Sequence, residues 1–541
     1  MQKQPDAQTR HATGRQGATT VRSAVFSLLR SFGIDTVFGN PGSTELPMFR
    51  DFPDDFKYVL GLQESSVIGM ADGYAQASRN AAFVNLHSAA GVGHAMGNIF
   101  TAYKNCTPMV ITAGQQARSI LPYEPFLFSA QAAELPRPYV KWSCEPARAQ
   151  DVPAAIARAY YTAMQAPCGP TLVSVPVDDW DLQAEPVIPR SVSRRAAPDP
   201  DALRPLADAL SASGRPAFVV GAGVDRDGAW ESVVALAEHH NALVWVAPLS
   251  GRCSFPESHP LFAGFLPASR EQIVDLLKSH DFILALGAPV FTYHVEGFGP
   301  HIPPGAVLYQ IVDDPSQAAW APTGSAIVGH TGLAARWLRE HGAKGIRAVP
   351  QGRPPAPEIP LGPTISPALV MQTLARLRPA DSIIVEESPS SRSIMQRHLP
   401  IDRPESFYAC ASGGLGYAMP ASVGVALAQA RGSQASRKVI ALLGDGSSMY
   451  ASQALWSAAR LALPLTFIVL NNQRYEALYS FAPVFGLDSA IGSDLPGLDF
   501  VAIARGHGCD ALRVEKPADL EAGLREALAC ARPALLEIVV D

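Results

Sequence analysis

The chain has 541 residues, of which 17% are charged and 48% hydrophobic, and its formal net charge is −6 at pH 7. A chain of this length is too long for a single hydrophobic core, so two or three domains are expected. The small negative charge and the ample apolar content exclude a basic nucleic-acid-binding surface and an acidic disordered chain.

The N-terminal segment, residues 1–20, is polar and has no apolar core. It is predicted to be a flexible tail rather than a signal peptide or an anchor. No apolar run of about eighteen residues follows it, so no membrane span is expected. The seven cysteines are widely spaced and form no Cys-x-x-Cys pair. This usage disfavours a disulfide framework and predicts a reducing, cytoplasmic location.

Short β-rich runs alternate with alanine-rich amphipathic stretches along the chain. Runs such as AAFVNLH, FILALG and KVIALLG are continuously apolar, which is typical of strands buried on both faces of a parallel sheet. Repeated βαβ units predict an α/β protein with three doubly wound parallel-sheet domains. Proline-rich stretches at 182–202 and 344–367 are predicted linkers. The predicted domains are 21–190, 200–343 and 365–541.

In open α/β sheets, ligands bind beyond the carboxyl ends of the strands, so residues there are the candidates for function. In the first domain, Glu64 follows the run YVLGLQ, and a helix is predicted over 67–78. Taken alone, Glu64 is most simply a helix-entry acid favoured by the dipole. His87 ends the strand AAFVNLH and can face a cleft, where histidine changes charge near neutral pH. Taken alone, it is more often a structural residue.

The middle domain offers one candidate histidine and two weak nucleotide-binding motifs. His294 follows the apolar run FILALGAPVFTY, whereas His239 and His240 lie in a helical stretch and are predicted to be surface residues. GAGVDRDG at 221–228, like GVGHAMG at 91–97 in the first domain, breaks the G-x-G-x-x-G spacing of dinucleotide-binding turns. An oxidoreductase is therefore a weak alternative. Three acidic pairs are predicted to be solvated turn residues: Asp54-Asp55, Asp178-Asp179 and Asp313-Asp314.

The third domain carries the strongest pattern. Asp445 follows the run VIALLG between two glycines, and 24 residues after the Gly-Asp-Gly triplet Asn471-Asn472 ends the run LTFIVL. With one helix between them, predicted over about 451–462, the two strand ends should lie side by side. Carboxylate and amide oxygens suit Mg²⁺, which also takes phosphate oxygens. The glycines and the following helix start favour a diphosphate, and the Gly413-Gly414 pair permits a close backbone approach.

Gly-Asp-Gly followed by about 24 residues and Asn-Asn resembles the diphosphate-binding signature of thiamine diphosphate enzymes. The three-domain layout is similar to their pyrimidine-binding, middle and diphosphate-binding domains. Within that family, four segments resemble the benzoylformate decarboxylase group of 2-oxo acid decarboxylases. They are GNPGSTELP (39–47), NLHSAAGVGHAMGN (85–98), LPRPYVKWSCEPA (135–147) and GAPVFTYH (287–294).

The resemblance implies a role for each matching residue. Asp445, Asn472 and the backbone carbonyl of Arg474 would hold Mg²⁺ or Ca²⁺. Glu64 would hydrogen-bond the aminopyrimidine ring of the cofactor, and Leu415 would support its bent form. The remaining residues implied in cofactor binding are Ser388, Ser390, Gly413, Gly444, Gly446, Ser447 and Tyr475.

The resemblance also implies a substrate site. Ser43 would bind the substrate carboxylate, and His87 and His294 would handle protons. Ala477 and Phe481 match residues that line an aryl pocket. The implied reaction is the decarboxylation of benzoylformate to benzaldehyde and CO₂, within mandelate catabolism.

The chain departs from the group in two loops. In EESPSS (386–391), Pro389 stands where the group has a threonine that helps to hold the cofactor, so Ser388, Ser390 or the backbone would take over. In NNQRYEALYSF (471–481), Glu476 replaces a glycine. Tyr479 and Ser480 replace an arginine and a tryptophan in the same loop, so the pocket rim is altered. In a secondary metal site of the family, Leu135 and Arg137 match, but Glu134 stands in place of asparagine.

Two alternatives remain within the family: a carboligase of acetolactate synthase type, and a decarboxylase of another aromatic 2-oxo acid. A non-catalytic binding paralogue is disfavoured because Glu64, Asp445 and Asn472 are retained. No FAD is expected in the middle domain, and neither nucleic acid nor a membrane is an expected partner. The resemblance implies a homotetramer with active sites at dimer interfaces.

Overall fold

The computed structural model describes residues 19–432 and 436–541; most of the predicted tail, residues 1–18, lies outside this part of the chain. Three sheets of six strands each follow one another along the chain, and every strand pair within them is parallel. Helices cover these sheets, which confirms the predicted α/β class with three doubly wound domains. Most core strands are buried along their whole length, as continuously apolar runs predict.

The first domain has a sheet with the strand order β3-β2-β4-β5-β7-β6, and an outlying antiparallel pair of β1 with β8. Its strands are β1 (Thr19–Thr20), β2 (Thr36–Gly39), β3 (Lys57–Leu60), β4 (Ala82–Leu86), β5 (Met109–Gln115), β6 (Trp142–Cys144), β7 (Pro170–Pro176) and β8 (Gln183–Ala184). Its helices are α1 (Val21–Ser31), α2 (Glu64–Ser78), α3 (Ser88–Lys104) and α4 (Val152–Met164).

The middle domain has the strand order β11-β10-β9-β12-β13-β14. Its strands are β9 (Pro216–Val220), β10 (Leu243–Val246), β11 (Phe262–Phe265), β12 (Phe282–Leu286), β13 (Val307–Val312) and β14 (Ser325–Val328). Its helices are α5 (Pro200–Ala212), α6 (Ala222–Arg226), α7 (Trp230–His240), α8 (Arg270–Leu277), α9 (Pro315–Trp320) and α10 (Thr331–His341).

The third domain has the strand order β16-β15-β17-β18-β20-β19. Its strands are β15 (Ile383–Glu387), β16 (Phe407–Ala409), β17 (Val439–Gly444), β18 (Leu465–Asn471), β19 (Asp510–Val514) and β20 (Ala534–Val539). Its helices are α11 (Pro367–Leu377), α12 (Arg392–His398), α13 (Ala418–Arg431), α14 (Asp445–Ser448), α15 (Ala454–Leu461), α16 (Glu476–Phe481), α17 (Phe500–Gly506) and α18 (Leu520–Ala529).

The first and third sheets share one topology. In each, the second strand pairs with one edge of the first strand, and the chain then crosses over so that the third strand pairs with the other edge. These switch points lie between β2 and β4 in the first sheet and between β15 and β17 in the third. In open α/β sheets, ligands bind beyond the strand ends at such points. The predicted candidates follow these strands: Ser43 comes after β2, His87 after β4, Ser388 after β15 and Asp445 after β17.

Helices α2 and α13 cross so closely that their backbones touch, and this joins the first domain to the third. A Cβ atom on Gly73 would lie 2.0 Å from the carbonyl oxygen of Ala421, and one on Gly424 would lie 1.9 Å from that of Met70. Glycine is needed at both positions because the obstacle is backbone, which cannot rotate away. Helix α2, which begins at Glu64, is thus packed directly against the third domain.

We expect Gly73→Ala to lower the stability of the protein, because the new methyl group must push two buried helices apart. Overpacking of this kind costs about 1–3 kcal/mol. The midpoint of thermal unfolding, followed by circular dichroism, measures the effect. Gly506→Ala is the matched control, since nothing lies within 4 Å of a Cβ there. Equal unfolding midpoints for the two variants would contradict the close approach of α2 and α13 at Gly73.

A buried polar network joins all three domains behind this crossing. The Arg252 guanidinium donates from Nη1 to Asp225 Oδ2 over 2.7 Å and from Nη2 to Gln76 Oε1 over 2.9 Å. The Gln76 amide in turn donates to Asp72 Oδ1 over 2.5 Å and to the Tyr417 hydroxyl over 2.9 Å. Burial raises the pKa of Asp72 to about 6. Tyr417 directly follows the glycine-rich segment of the third domain.

Several sequence predictions about polar residues are wrong. His240 is not a surface residue: its side chain is fully buried, and burial lowers the pKa of its imidazole to about 4. Asp179 is not a solvated turn residue either, because Arg118 Nη2 donates to it over 2.8 Å and no part of it is exposed. Asp313 is likewise held by Arg226 over 3.0 Å. Helix α2 begins at Glu64 rather than at residue 67.

Within residues 19–432 and 436–541, no helix is long and apolar enough to cross a membrane. All seven cysteines lie in this part of the chain, and all are free thiols.

Candidate active site

A cleft of about 330 Å³ opens at the carboxyl ends of β15, β17 and β18. The strands carrying Asp445 and Asn472 are neighbours in the sheet, with Gly444 opposite Leu470, as their spacing predicts. The cleft therefore gathers candidates from three separate loops. The predicted site residues that line it are Ser388, Ser390, Gly444, Asp445, Asn472 and Arg474.

The backbone holds the Asp445 carboxylate at the mouth of this cleft. The N–H of Gly446 donates to Oδ1 over 2.7 Å, and the N–H of Arg474 donates to Oδ2 over 3.2 Å. Burial raises the pKa of Asp445, while these backbone N–H groups oppose the rise.

Gly446, Ser447 and Tyr475 form the wall beside this carboxylate. A Cβ atom on Gly446 would lie 2.2 Å from the Tyr475 ring, so only glycine admits the ring at this position. The Ser447 hydroxyl donates to the carbonyl of Glu387 over 2.6 Å, which ties the end of β17 to that of β15. The hydroxyl is thus engaged by the protein itself.

These residues fit a hard divalent cation with a diphosphate. The carboxylate of Asp445, the amide of Asn472 and the backbone at Arg474 offer oxygen ligands at one cleft. Mg²⁺ accepts a few such ligands and fills its remaining positions with phosphate oxygens and water. In the described ranges, no group of three or more His, Cys, Asp or Glu side chains is placed to hold a metal ion. The cleft is also lined by the carboxylates of Glu476 and Asp541.

The glycine-rich segment before α13 is anchored by a buried carboxylate that the sequence analysis missed. Glu387, at the end of β15, accepts the N–H groups of Gly416 over 2.5 Å, Tyr417 over 2.9 Å and Ala418 over 2.6 Å. Gly416 has φ +98°, which other residues rarely adopt. Burial raises the pKa of Glu387 to about 8, against these three donors. The anchor fixes the backbone next to the half-buried Leu415.

Glu64 is the first residue of α2 and has a partner at each carboxylate oxygen. Asn40 Nδ2 donates to Oε1 over 3.2 Å, and His94 Nδ1 lies 3.2 Å from Oε2. Gln63 caps the helix by accepting the N–H of Ser66. A carboxylate needed only for the helix dipole would not require both side-chain partners, so the contacts favour a positioned functional group.

His87 is held by a second buried carboxylate, which sequence reasoning also missed. Its Nδ1 lies 2.8 Å from Glu45 Oε2 and 3.1 Å from the Thr44 hydroxyl. A Cβ atom on Gly42 would lie 2.2 Å from the same nitrogen, so the turn after β2 wraps the ring. Ser43 lies exposed in that turn. The only sequence signal for Glu45 was its place in GNPGSTELP.

His294 belongs to the middle domain, and its side chain contacts the third domain. Its ring lies 4.7 Å from that of Phe481, at an interplanar angle of 72°, in an edge-to-face arrangement. Ala477 lies one turn before Phe481 on α16, and Ser480 lines the Asp445 cleft. An aromatic wall therefore stands next to the candidate cofactor cleft.

The structure brings the predicted residues together in two groups rather than one. Ser43, Glu64 and His87 lie in the first domain, whereas the Asp445 cleft and the His294–Phe481 wall lie elsewhere. Among the hydrogen bonds and ion pairs of the described residues, none links the first group to the cleft. The α2–α13 crossing joins the domains at a different place.

Both loops that depart from the group make polar contacts within this chain. Ser388 donates from its N–H to Glu386 Oε1 over 2.6 Å, while Pro389 starts a short turn and leaves Ser390 exposed in the cleft. Arg474 pairs with Glu476, and the Tyr479 hydroxyl donates to Asp494 over 2.6 Å.

Known proteins share both the sequence pattern and the fold of this chain. Models of thiamine pyrophosphate (thiamine diphosphate) enzymes match the chain in three parts: the N-terminal TPP binding domain at 19–132, the central domain at 203–338 and the C-terminal TPP binding domain at 390–538. The benzoylformate decarboxylase of Pseudomonas aeruginosa is 46% identical over 525 residues, which cover 96% of this chain and 98% of that protein. The acetolactate synthase large subunit of Haemophilus influenzae is 25% identical, covering 93% of this chain and 91% of its own.

Two solved structures share the whole fold. The benzoylformate decarboxylase of Polynucleobacter necessarius superposes with a TM-score of 0.92 at 40% identity, covering 96% of this chain and 98% of that one. The thiamine diphosphate-dependent 4-hydroxybenzoylformate decarboxylase of Rhodococcus jostii RHA1 gives a TM-score of 0.93 at 40% identity, covering 97% and 99%. The chain therefore belongs to the thiamine pyrophosphate enzyme family, among the carboxy-lyases of the benzoylformate decarboxylase group.

Proposed function

We propose that the protein is a thiamine diphosphate- and Mg²⁺-dependent decarboxylase that converts benzoylformate to benzaldehyde and CO₂. The observation that carries this proposal is the wall of His294 and Phe481 beside the Asp445 cleft. An aryl group would pack against this wall, since aromatic rings favour edge-to-face contacts. The bond to the carboxylate breaks, CO₂ leaves, and a proton takes its place.

Thiamine diphosphate, when bound, supplies the nucleophilic carbon and the electron sink that such a reaction needs. Asp445, Asn472 and the Arg474 carbonyl would hold Mg²⁺ with the diphosphate. Glu64 would hydrogen-bond the pyrimidine ring, and Leu415 would support the bent cofactor. The other residues in this proposed cofactor site are Ser388, Ser390, Gly413, Gly444, Gly446, Ser447 and Tyr475.

The substrate would be held and protonated by residues of both groups. Ser43 would bind its carboxylate, and His87 and His294 would deliver and remove protons. The Glu45 carboxylate at 2.8 Å from His87 Nδ1 supports this role, because it orients the ring. The other ring nitrogen, Nε2, then remains for the reactants.

We also propose a homotetramer in which each active site combines two subunits. Support comes from the separation of the Glu64 group from the Asp445 cleft within one chain. Further support comes from exposed aromatic residues of the first domain, since Tyr123 is 80% and Phe126 88% exposed. The free thiols of all seven cysteines support a cytoplasmic location. The proposed reaction would serve mandelate catabolism.

A substrate panel tests the reaction. Purified protein with thiamine diphosphate and Mg²⁺ should release benzaldehyde from benzoylformate, measured by chromatography, and should turn over phenylpyruvate and pyruvate far more slowly. Well-folded protein that binds the cofactor but releases no aldehyde from any aryl 2-oxo acid would refute the proposal. Acetolactate formed from pyruvate would instead favour the carboligase.

A hydroxylated aryl substrate is the second candidate. The pocket rim carries the Tyr479–Asp494 hydrogen bond and the exposed Ser480, which suit a polar ring substituent. The related Rhodococcus enzyme is a 4-hydroxybenzoylformate decarboxylase. Including 4-hydroxybenzoylformate in the panel decides between the two, since the preferred substrate has the higher kcat/KM.

A further inference from the structure

The loop after β18 is held in place by a second segment of the third domain. Arg474 and Asp494 face each other in an isolated antiparallel bridge. The N–H of Tyr475 donates to the carbonyl of Ser493 over 2.7 Å, next to this bridge. Gln473, which precedes the bridge, has φ +61°, a conformation that residues other than glycine rarely adopt. The loop therefore relies on contacts from outside itself to keep its shape.

The side chain of Arg474 adds two contacts to this bridge. Its Nε donates to Glu476 Oε2, and its guanidinium lies over the ring of Tyr479, 5.1 Å from the centroid. The Tyr479 hydroxyl donates to Asp494 Oδ1 over 2.6 Å, so the contacts return to the residue that pairs with the Arg474 backbone. Glu476 and Tyr479 are both departures from the benzoylformate decarboxylase group, and here they contact the same guanidinium.

The backbone of Arg474 connects these contacts to the proposed metal site. Its N–H donates to Asp445 Oδ2 over 3.2 Å, and its carbonyl accepts the N–H of Glu476 over 3.0 Å. Arg474 and Glu476 both line the cleft together with Asp445 and Asn472. Glu476 thus holds Arg474 at two points, the carbonyl and the guanidinium, and so constrains the direction of the carbonyl.

We infer that Glu476 and Tyr479 are positioning residues that direct the Arg474 carbonyl towards the divalent cation of the diphosphate site. This inference rests on the proposed function. Groups that orient a metal ligand matter because the cation binds best when its ligands are already in place, and changing such groups typically weakens metal affinity by about 10–100-fold. The two departures act together, since each contacts the guanidinium of the same residue.

The choice of cation distinguishes a positioning role from a general loss of charge. Mg²⁺ requires nearly ideal octahedral geometry with short ligand distances, whereas Ca²⁺ tolerates more oxygen ligands in flexible arrangements. A displaced carbonyl should therefore weaken the binding of Mg²⁺ much more than that of Ca²⁺. Removal of a nearby negative charge should instead weaken the binding of both cations to a similar extent.

The test measures the Kd of Mg²⁺ and of Ca²⁺ by calorimetry, each in excess thiamine diphosphate. Glu476→Ala removes the partner of Arg474, and we expect it to raise the Kd of Mg²⁺ by about 10–100-fold and that of Ca²⁺ by less. Glu476→Gln has the same charge as the alanine variant but keeps an acceptor oxygen, so part of the loss should be recovered. Tyr479→Phe keeps the ring but loses the bond to Asp494, and a smaller rise for Mg²⁺ is expected. Asp488→Ala removes an exposed carboxylate of the same segment as the control.

The outcomes separate this inference from the cofactor proposal. A higher ratio of the Mg²⁺ Kd to the Ca²⁺ Kd in Glu476→Ala and Tyr479→Phe, with recovery in Glu476→Gln and no change in Asp488→Ala, supports the inference. An unchanged ratio in Glu476→Ala, or equal ratios in the two Glu476 variants, would overturn it while the unaltered protein still binds the cofactor. An unchanged ratio in Tyr479→Phe alone would overturn the part assigned to Tyr479. If the unaltered protein binds thiamine diphosphate with neither cation, the proposed function and this inference both fail.

Discussion

Asp445→Ala should abolish Mg²⁺-dependent binding of thiamine diphosphate while leaving the fold largely intact. The carboxylate is the only charged oxygen ligand proposed for the metal. Changing a residue that merely orients a metal ligand typically weakens affinity by 10–100-fold. Losing the ligand itself should therefore weaken cofactor affinity by at least about 100-fold. Calorimetric titration with the cofactor, with and without Mg²⁺, measures the change.

Two comparisons make this result specific. Asp510→Ala removes an exposed carboxylate from the same domain, at the start of the edge strand β19, and should leave the Kd unchanged. The circular dichroism spectrum of Asp445→Ala should match that of the unaltered protein. If Asp445 only stabilised the backbone turn in which it lies, Asp445→Ala would bind the cofactor as well as Asp510→Ala does, and the metal site would have to lie elsewhere.

Glu64→Gln should lower kcat by about 10²–10⁴-fold, the usual contribution of a positioned acid–base group. Glutamine keeps the shape and one carbonyl oxygen, so Asn40 can still donate to it. The exchangeable proton is lost, however, and the pyrimidine ring would no longer be tuned by the protein. Cofactor affinity should change much less than kcat, and steady-state kinetics at saturating cofactor separates the two.

The control for this variant is another acid in the first turn of a helix. Glu231 is exposed near the start of α7, so Glu231→Gln removes a similar dipole interaction without touching the site. Such an interaction is worth about 0.3–1 kcal/mol of stability. If Glu64→Gln proved as active as Glu231→Gln, Glu64 would be only a helix-entry residue.

The candidate functional residues at the ends of strands were predictable, because buried parallel strands have a distinctive, continuously apolar sequence. The apolar run before Asp445 and the one before Asn472 located both strand ends, and strand adjacency followed from the single helix between them. The positions of Glu64 and His87 at strand or helix boundaries came from the same pattern. These predictions depend on features within a few residues of each candidate.

The partners of these candidates were not predictable, because each comes from a distant part of the chain. Glu45 reaches His87 across 42 positions, and Glu387 anchors Gly416 across 29. The same limit explains the error at His240. A histidine on a helix is assigned to the surface by default, and only the packing around α7 shows that the ring is enclosed. Charge and polarity alone do not reveal which polar groups are buried with partners.

The network of Arg252, Asp225 and Gln76 has a consequence for how the protein opens. A desolvated ion pair cannot be broken without leaving an unpaired buried charge, which typically costs 3–5 kcal/mol. The Tyr417 hydroxyl is tied to this network, and the backbone of Tyr417 is held by Glu387. Local fluctuations that expose the amides of Gly416 and Tyr417 therefore require the domains to separate. The exchange of these amides with solvent deuterium should therefore be no faster than global unfolding allows.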